Sequence, residues 1–289
     1  MELSDLRIFR AVAREGGIVR AARRLHRVPS NVTTRIQQLE ASLGTTLFVR
    51  DRRRLHLTPA GELFLGFAEQ MLDLSEQARS ALQDGAPRGV LRIGTLESTA
   101  ASRLPPLLSR YHEQYPTVRL ELATGTTDAL VDAVKNRKLD AAFIAECESA
   151  APLAKMPLCK EELVLLTARS HAPVRGPHDV HTDTIISFPN GCEYRRRLQT
   201  WLGAGGVVPE RVLELSSYHA IVACVAAGTG VAVAPRSVLD TIRGPIEVAV
   251  FSLGRGNSIT THLVWRDGEC PLALKALRSA MQSVVKDKH

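Results

Sequence analysis

The sequence predicts an all-α winged helix-turn-helix domain, then a long linker helix, then an α/β domain in two lobes. Three observations lead there. The first sixty residues carry twelve Arg against five acidic residues, so they hold the whole +7 net charge of the chain and leave the remainder neutral. Short helical patterns crowd that basic segment, whereas from about residue 88 onward strand patterns alternate with helical ones. A length of 289 residues is also too great for one ordinary core and suggests two or three domains.

In the basic segment, Ser4 is placed to cap a first helix whose Leu6, Phe9, Val12 and Ala13 share one face, and Gly16-Gly17 ends it. An Ala-rich second helix spans about residues 18 to 26, and the RVP segment turns the chain. The third helix, within PSNVTTRIQQLEASLG, spaces Val32, Ile36, Leu39 and Leu43 by four, three and four, with Gly44 just past its end. Two short helices joined by a tight turn behind a packing helix make a helix-turn-helix, whose second helix enters the DNA major groove.

That placement explains why Ser30, Asn31, Thr33 and Thr34 crowd the start of a helix they weaken. Short polar side chains let the helix axis approach closely and offer donors and acceptors to bases and phosphates. Arg27, Pro29, Ser30, Asn31, Thr33, Thr34 and Arg35 are therefore the expected contacts on this element. Reading Ser30 as a plain cap, with its neighbours merely solvated, leaves the local Arg excess unexplained.

TTLFVRDRRRLHLTPAG follows. Leu47 and Val49 alternate into Arg50, and Leu55 and Leu57 flank His56, which predicts a two-stranded hairpin with Arg50, Arg52, Arg53 and Arg54 at its tip. Such a wing lays Arg on phosphates or into the minor groove. Thr58-Pro59 is a helix start, and Phe64, Phe67, Met71, Leu74, Ala78 and Ala81 then form a heptad seam that predicts pairing with a second copy. Gly85-Ala86-Pro87 ends this helix as a linker.

The rest reads as alternating elements: GVLRIGTL, ESTAASRLPPLLSRYHEQYP, VRLELATG, TTDALVDAVKNRKLD and AAFIAE. The pattern resumes after ELVLLTA with TIISF, CEYRRRLQTWLGAGG, VLELSS, YHAIVACVAAG and GVAVAP, and LVWR precedes a last helix from PLALKALRSAMQSVV. This predicts a largely parallel sheet in two lobes, joined by two crossover strands, with the last helix returning to the first lobe. In open α/β sheets ligands sit beyond the carboxyl ends of strands, where helix N-termini present N–H groups to an anion. Three junctions qualify, around Thr95, Ser98 and Thr99, around Thr126 and Thr127, and around Gly191 and Cys192. Tyr194 and Arg195 are placed to hold a charged end, while Glu97 in the first loop opposes an anion unless it is turned away.

At this point the residues carry a resemblance. Ile36, Leu39, Glu40, Leu43 and Gly44, then Leu47, Phe48 and Arg50, then Leu57, Thr58, Ala60, Gly61 and Phe64 resemble the DNA-binding region of LysR-type transcriptional regulators. The two-lobed domain resembles their effector domain, of type 2 periplasmic-binding-protein layout. The resemblance implies domains at 1 to 58 (DNA binding), 59 to 87 (dimerising linker helix and hinge) and 88 to 289 (effector binding). The first lobe would take about 88 to 161 and 266 to 289, the second about 162 to 265. It also places an effector cleft on the three junctions and the Ser217-Tyr218 turn. The family commonly has Ser-Arg-Gln where this chain has Thr33-Thr34-Arg35, and Gln where it has Pro29, so the groove is implied but not the operator sequence.

The implied partners are double-stranded DNA, a small-molecule effector of organic-anion type, a second copy in a homodimer or homotetramer, and RNA polymerase. Neither a cofactor nor a metal is expected. Two alternatives stand beside this reading. Cys192, at a helix start near Arg195, Arg196 and Arg197 in a G-C-x-Y-R stretch similar to one LysR subgroup, could serve thiol-based redox sensing through a lowered pKa, or simply pack. An effector-independent DNA-binding protein is the other, although it would not need two hundred neutral α/β residues.

An enzyme is not expected, since there is no G-x-S-x-G, H-E-x-x-H or P-loop. Aromatics at 4% argue against a base-stacking platform. The charged N-terminus and the lack of a long apolar run predict a cytoplasmic protein without a membrane span. The five cysteines, 147, 159, 192, 224 and 270, are expected to be reduced and mostly buried.

Overall fold

The computed structural model describes residues 1–51, 54–82, 86–146, 150–243, 247–254, 257–268 and 270–286. The chain forms two compact units, Met1–Gly89 and Val90–His289. Gly85 of the expected linker and Cys147 lie outside the described residues. Among the described residues no helix is long and apolar enough to cross a membrane.

In the first unit, α1 (Leu3–Glu15), α2 (Ile18–Arg24) and α3 (Pro29–Leu43) bury Leu6, Phe9, Val12, Ala21, Val32, Ile36 and Leu39 in one core. Ser4 is not the cap: the cap is Glu2 and the helix begins two residues earlier than expected, with Glu2 N–H donating to Asp5 Oδ2 at 2.8 Å and Ser4 inside the first turn. The second helix is shorter than the Ala-rich pattern suggests, because the chain turns at Leu25 and at His26, which takes a φ of 53°.

The hairpin of β1 (Phe48–Asp51) and β2 (Arg54–Leu57) pairs Phe48 with Leu57. It is fixed to α3 by Glu40, whose Oε1 accepts the N–H groups of Leu47 at 2.7 Å and Phe48 at 3.1 Å. One carboxylate on α3 thus positions the wing.

α4 (Pro59–Leu82) starts where Thr58-Pro59 predicts, with Thr58 Oγ1 accepting the Gly61 N–H at 3.0 Å. The heptad seam does not stay on one face. Phe64 packs against Phe9, with ring centroids 5.1 Å apart, Met71 joins the same core, and Ala68 and Leu72 are buried. Arg14 pairs with Glu69 at 2.7 Å. The first half of α4 therefore lies on its own domain, and the apolar residues left outside are Leu63, Phe67 and Leu74, which are 67%, 53% and 66% exposed. Ala78 is exposed as well, and the Ala81 side chain lies outside the described set.

The second unit runs β3 (Gly89–Thr95), α5 (Glu97–Ser102), α6 (Leu104–Gln114), β4 (Val118–Thr124), α7 (Thr127–Lys135), β5 (Ala141–Ala145) and β6 (Ala154–Ala168). It continues with β7 (Thr184–Ser187), α8 (Glu193–Ala204), β8 (Arg211–Glu214), α9 (Tyr218–Ala226), β9 (Ala232–Pro235), α10 (Arg236–Leu239), β10 (Val248–Ser252), β11 (Ser258–Trp265) and α11 (Leu272–Lys286). The helix expected from residue 97 onward is broken at Arg103 into α5 and α6, with two prolines opening the second piece.

The main sheet has the order β10-β6-β11-β5-β3-β4, with β9 also on β6, and β7 pairs β8 beside it. It is mixed rather than largely parallel: β3 is parallel to β5 and β7 to β8, but β6 runs antiparallel to β9, β10 and β11. The physical reason is β6 itself. Its first half pairs with β11 in lobe I, and its second half pairs with β9 and β10 in lobe II. β11 pairs with β5 from Thr261 to Trp265, so the return to lobe I falls inside β11 and not after residue 265. α11 closes on α6, where the buried Tyr111 hydroxyl donates to the Ala273 carbonyl at 2.8 Å.

Gly61 is required by a close approach, since a Cβ there would lie 2.1 Å from the Leu47 carbonyl oxygen, whereas one at Gly66 would meet nothing within 4 Å. Gly61→Ala is expected to destabilise the protein by about 1–3 kcal/mol through overpacking. Gly66→Ala, in an exposed helix interior, should stabilise by about 0.5–1 kcal/mol. Urea unfolding of both variants checks the pair.

Candidate functional site

Two surfaces were expected to carry function, one in each unit. On α3 the burial pattern divides the helix cleanly. Val32, Ile36 and Leu39 are buried, while Pro29, Ser30, Asn31, Thr33, Thr34 and Gln37 are exposed, with Arg27 exposed just before the helix. Val28 occupies the cap position and Pro29 the first turn, so Ser30 is not spent on capping. Arg27 Nη1 donates to Asn31 Oδ1 at 3.2 Å, which orients the amide, and Thr33 Oγ1 donates back to the Pro29 carbonyl at 3.0 Å. Ser30, Asn31, Thr34 and Gln37 are left to present outward polar atoms. Gln37 was missed in the sequence because it sits beyond the polar cluster, though it falls three residues after Thr34 on the same face.

Arg35 does something else. It is half-buried, with Nη2 at 2.7 Å from Asp5 Oδ1, 3.2 Å from Glu2 and 2.7 Å from Ser4 Oγ. It clamps α3 to the start of α1 and is not presented with the exposed residues. In the wing, the backbone of Arg50 and Arg54 is paired across the hairpin, and Arg52 and Arg53 lie outside the described residues.

In the second unit, the ends of β3, β4 and β7 meet the starts of helices around one cleft between the lobes. It is lined by Leu96, Glu97, Ser98, Gly125, Thr126, Phe188, Cys192, Tyr194 and Tyr218. Ser98, Thr126, Cys192, Tyr194 and Tyr218 are therefore brought together as expected. Thr95, Thr99 and Thr127 are buried outside this lining, and Gly191 and Ser217 support it as turn and helix-cap residues. Leu96, Gly125 and Phe188 were missed as lining residues. Phe188 stacks obliquely on Tyr218, with centroids 5.0 Å apart, a contact between strand end and helix start that spacing does not reveal.

The lobes touch across the cleft. The Ser98 and Tyr194 hydroxyls are 3.5 Å apart, Asp128 N–H donates to the Gly191 carbonyl at 3.3 Å, and Arg196 grips both Asp128 carboxylate oxygens at 3.0 and 3.3 Å. Gly191 takes a φ of 88°, and a Cβ there would press on Asp128 and Thr126 at 3.1 Å. The cavity volume among these groups is about 10 Å³, room for about one water. A larger ligand needs the lobes to part.

One of the two charged groups is not where the sequence placed it. Arg195 is turned away from the cleft and pairs with Glu214 at 2.6 Å, because its position on α8 faces β8. Glu97, in contrast, does line the cleft. Burial pushes its carboxyl above the usual range, opposed by the Tyr218 N–H and by His219. The Cys192 thiol is also pushed up, not down: burial outweighs the N–H groups of Arg195 and Tyr194, and Arg196 is engaged by Asp128 and Glu193. A raised thiol disfavours the thiolate that redox sensing would use. The described cysteines are all free, with Cys192 buried, Cys159 and Cys224 half-buried and Cys270 exposed, so fewer are buried than expected.

The comparisons with known proteins match both units of the chain. Residues 3–62 match the family model described as bacterial regulatory helix-turn-helix protein, lysR family, and residues 84–286 match the LysR substrate binding domain. The chain is 40% identical over 288 residues to the uncharacterized HTH-type transcriptional regulator YusT of Bacillus subtilis (strain 168), covering 98% of this chain and 96% of that one. It is 34% identical over 290 residues to the HTH-type transcriptional regulator CzcR of the same organism, covering 100% and 99%. The full-length structure of CbnR complexed with its target DNA superposes with a TM-score of 0.70 at 25% identity, covering 98% of this chain and 99% of that one. The chain belongs to the LysR family of DNA-binding transcriptional regulators.

The state of Cys192 is open to direct chemistry. Iodoacetamide at pH 7.5 is expected to alkylate Cys192 at least tenfold more slowly than the exposed Cys270 of the same molecule, by peptide mass spectrometry. Faster labelling of Cys192 would restore the redox reading.

Proposed function

We propose that this LysR-type regulator binds a small organic ligand bearing an acid group in the cleft between its lobes, and that this ligand modulates its grip on DNA. The observation that carries the reading is the convergence of helix starts on one cleft. Thr126, Cys192 and Ser217 hold the cap positions of α7, α8 and α9, none makes a side-chain cap bond, and the hydroxyls of Ser98, Thr126 and Tyr194 stand beside them. Helix N-termini carry partial positive charge, which favours an anion even where, as at Asp128 and Tyr218, an N–H already serves Gly191 or Glu97. Burial holds the Tyr194 hydroxyl in its protonated, donating form.

On the DNA side, Ser30, Asn31, Thr34 and Gln37 would read base edges, with Arg27, Arg50, Arg52, Arg53 and Arg54 on the phosphates. The exposed Leu63, Phe67 and Leu74 of α4 would pair with a second copy, giving a dimer or tetramer whose modules meet successive half-sites. The domain limits at 58 and 87 follow from this division of labour. Closing or opening the cleft would then alter the spacing of the paired modules.

Titrating the full-length protein with a panel of small mono- and dicarboxylic acids, amino acids included, tests the ligand reading. At least one should raise the melting temperature and lose its effect in Ser98→Ala and Thr126→Ala. A panel without any such ligand contradicts it. For the DNA surface, Asn31→Ala or Thr34→Ala should change which sequences are selected from a random library. Arg52→Ala should weaken all sequences alike and reduce the salt slope by about one. Arg35→Ala should lower thermal stability without redirecting base preference, as befits a clamp between helices.

A further inference from the structure

We propose that Glu97 is a recognition carboxylate, and that the effector of this regulator carries a protonated amine or an equivalent N–H donor beside its acid group, as an amino-acid-like zwitterion does. The inference rests on the inter-lobe cleft being the effector site and adds the ligand's second charge. Glu97 opens α5 and lines the cleft with Ser98, Thr126, Tyr194 and Tyr218. Its Oε2 is buried and has no hydrogen-bond partner among the described residues. Its carboxyl receives the Tyr218 N–H, and the exposed His219 acts on it from outside the lining. A buried carboxylate oxygen without a donor is an unfavourable arrangement that a ligand N–H would relieve.

The neighbouring cations are already committed. Among the described residues no Lys or Arg lines the cleft, since Arg195 is held by Glu214, Arg196 by Asp128 and Glu193, and Arg103 by Glu161. A purely acidic ligand would therefore meet Glu97 with like charge and no Lys or Arg of the lining to offset it. A zwitterion satisfies both ends of the cleft, its acid group at the hydroxyls and helix starts and its ammonium at Glu97.

The test uses the full-length protein and three probe sets matched in carbon skeleton: α-amino acids, the corresponding 2-oxo acids, and the corresponding simple amines. Affinities are measured by calorimetry for the native chain, Glu97→Gln and Glu97→Asp. The expected result is that an amino acid binds at least tenfold more tightly than its 2-oxo analogue, loses at least tenfold in Glu97→Gln, and recovers part of this in Glu97→Asp. If 2-oxo acids bind as well as amino acids, or if Glu97→Gln leaves the preference unchanged, the role of Glu97 is overturned while the acid-binding cleft stands. If amines alone bind, and do so through Glu97, the acid-binding reading fails and the carboxylate assignment survives. Silence from all three sets contradicts both. In the absence of ligand, Glu97→Gln should raise the melting temperature by removing a poorly solvated charge, and a fall would mark Glu97 as structural support for Tyr218.

Discussion

Much of the effector unit depends on one strand that both lobes share. β6 passes its first half to lobe I and its second to lobe II, and at the crossing Glu161, 4% exposed, is held by Arg103 at 2.6 and 3.0 Å and by Ser237 at 2.7 Å. Arg103 lies at the break between α5 and α6, and Ser237 lies on α10, so the carboxylate ties the two lobes to their common strand. Burial pushes the Glu161 carboxyl up, but the donors outweigh it and hold it below the usual range. Its stabilising contribution is therefore present above the ordinary carboxylate range and is lost as pH falls through its lowered value. Removing one partner of such a pair costs on the order of 3 kcal/mol, because the other is left buried and unpaired. Cys159, donating to the same carboxylate, has its thiol pushed up to about 12.

That tie decides where a cleft can form. The lobes also share an apolar core, in which Leu130 and Val131 of α7 sit in one cluster with Leu198 of α8 and Val231 before β9. What remains between them is the rim where strand ends face helix starts. There the lobes are joined by weak or exposed contacts, the 3.5 Å hydroxyl pair of Ser98 and Tyr194 and the solvent-facing Arg196–Asp128 pair. A firm tie at the crossing strand and a loose one at the rim give an element that a ligand can bias between two arrangements. Since α5 carries both Glu97 and the approach to Arg103, the proposed ligand contacts and the interlobe tie lie within one short helix.

Much of this was legible in the sequence, and the failures have physical causes. The apolar spacing of Val32, Ile36 and Leu39 located α3 because that helix packs on one side only, and Thr58-Pro59 located α4 because capping is a local interaction. The seam of α4 was misread because Phe64 and Met71 continue its period while turning into their own domain's core, Phe64 against Phe9, which lies on α1 fifty-five residues earlier in the chain. Arg35 looked like a DNA contact because an Arg in a polar cluster gives no sign of Asp5 lying across from it. Arg195 was misplaced for a related reason. Sequence shows that α8 begins there, but only packing shows that this side chain faces Glu214.

The central claim, that a small acid-bearing ligand is held between the lobes and acts from there, is tested most directly by hydrogen exchange on the full-length protein, with and without a carboxylate that raises its melting temperature. Slowed exchange is expected at the amides of residues 96–99, 125–129 and 217–220. Protection confined to another surface, such as the outer face of α8 around Trp201, with these amides unchanged, would contradict it.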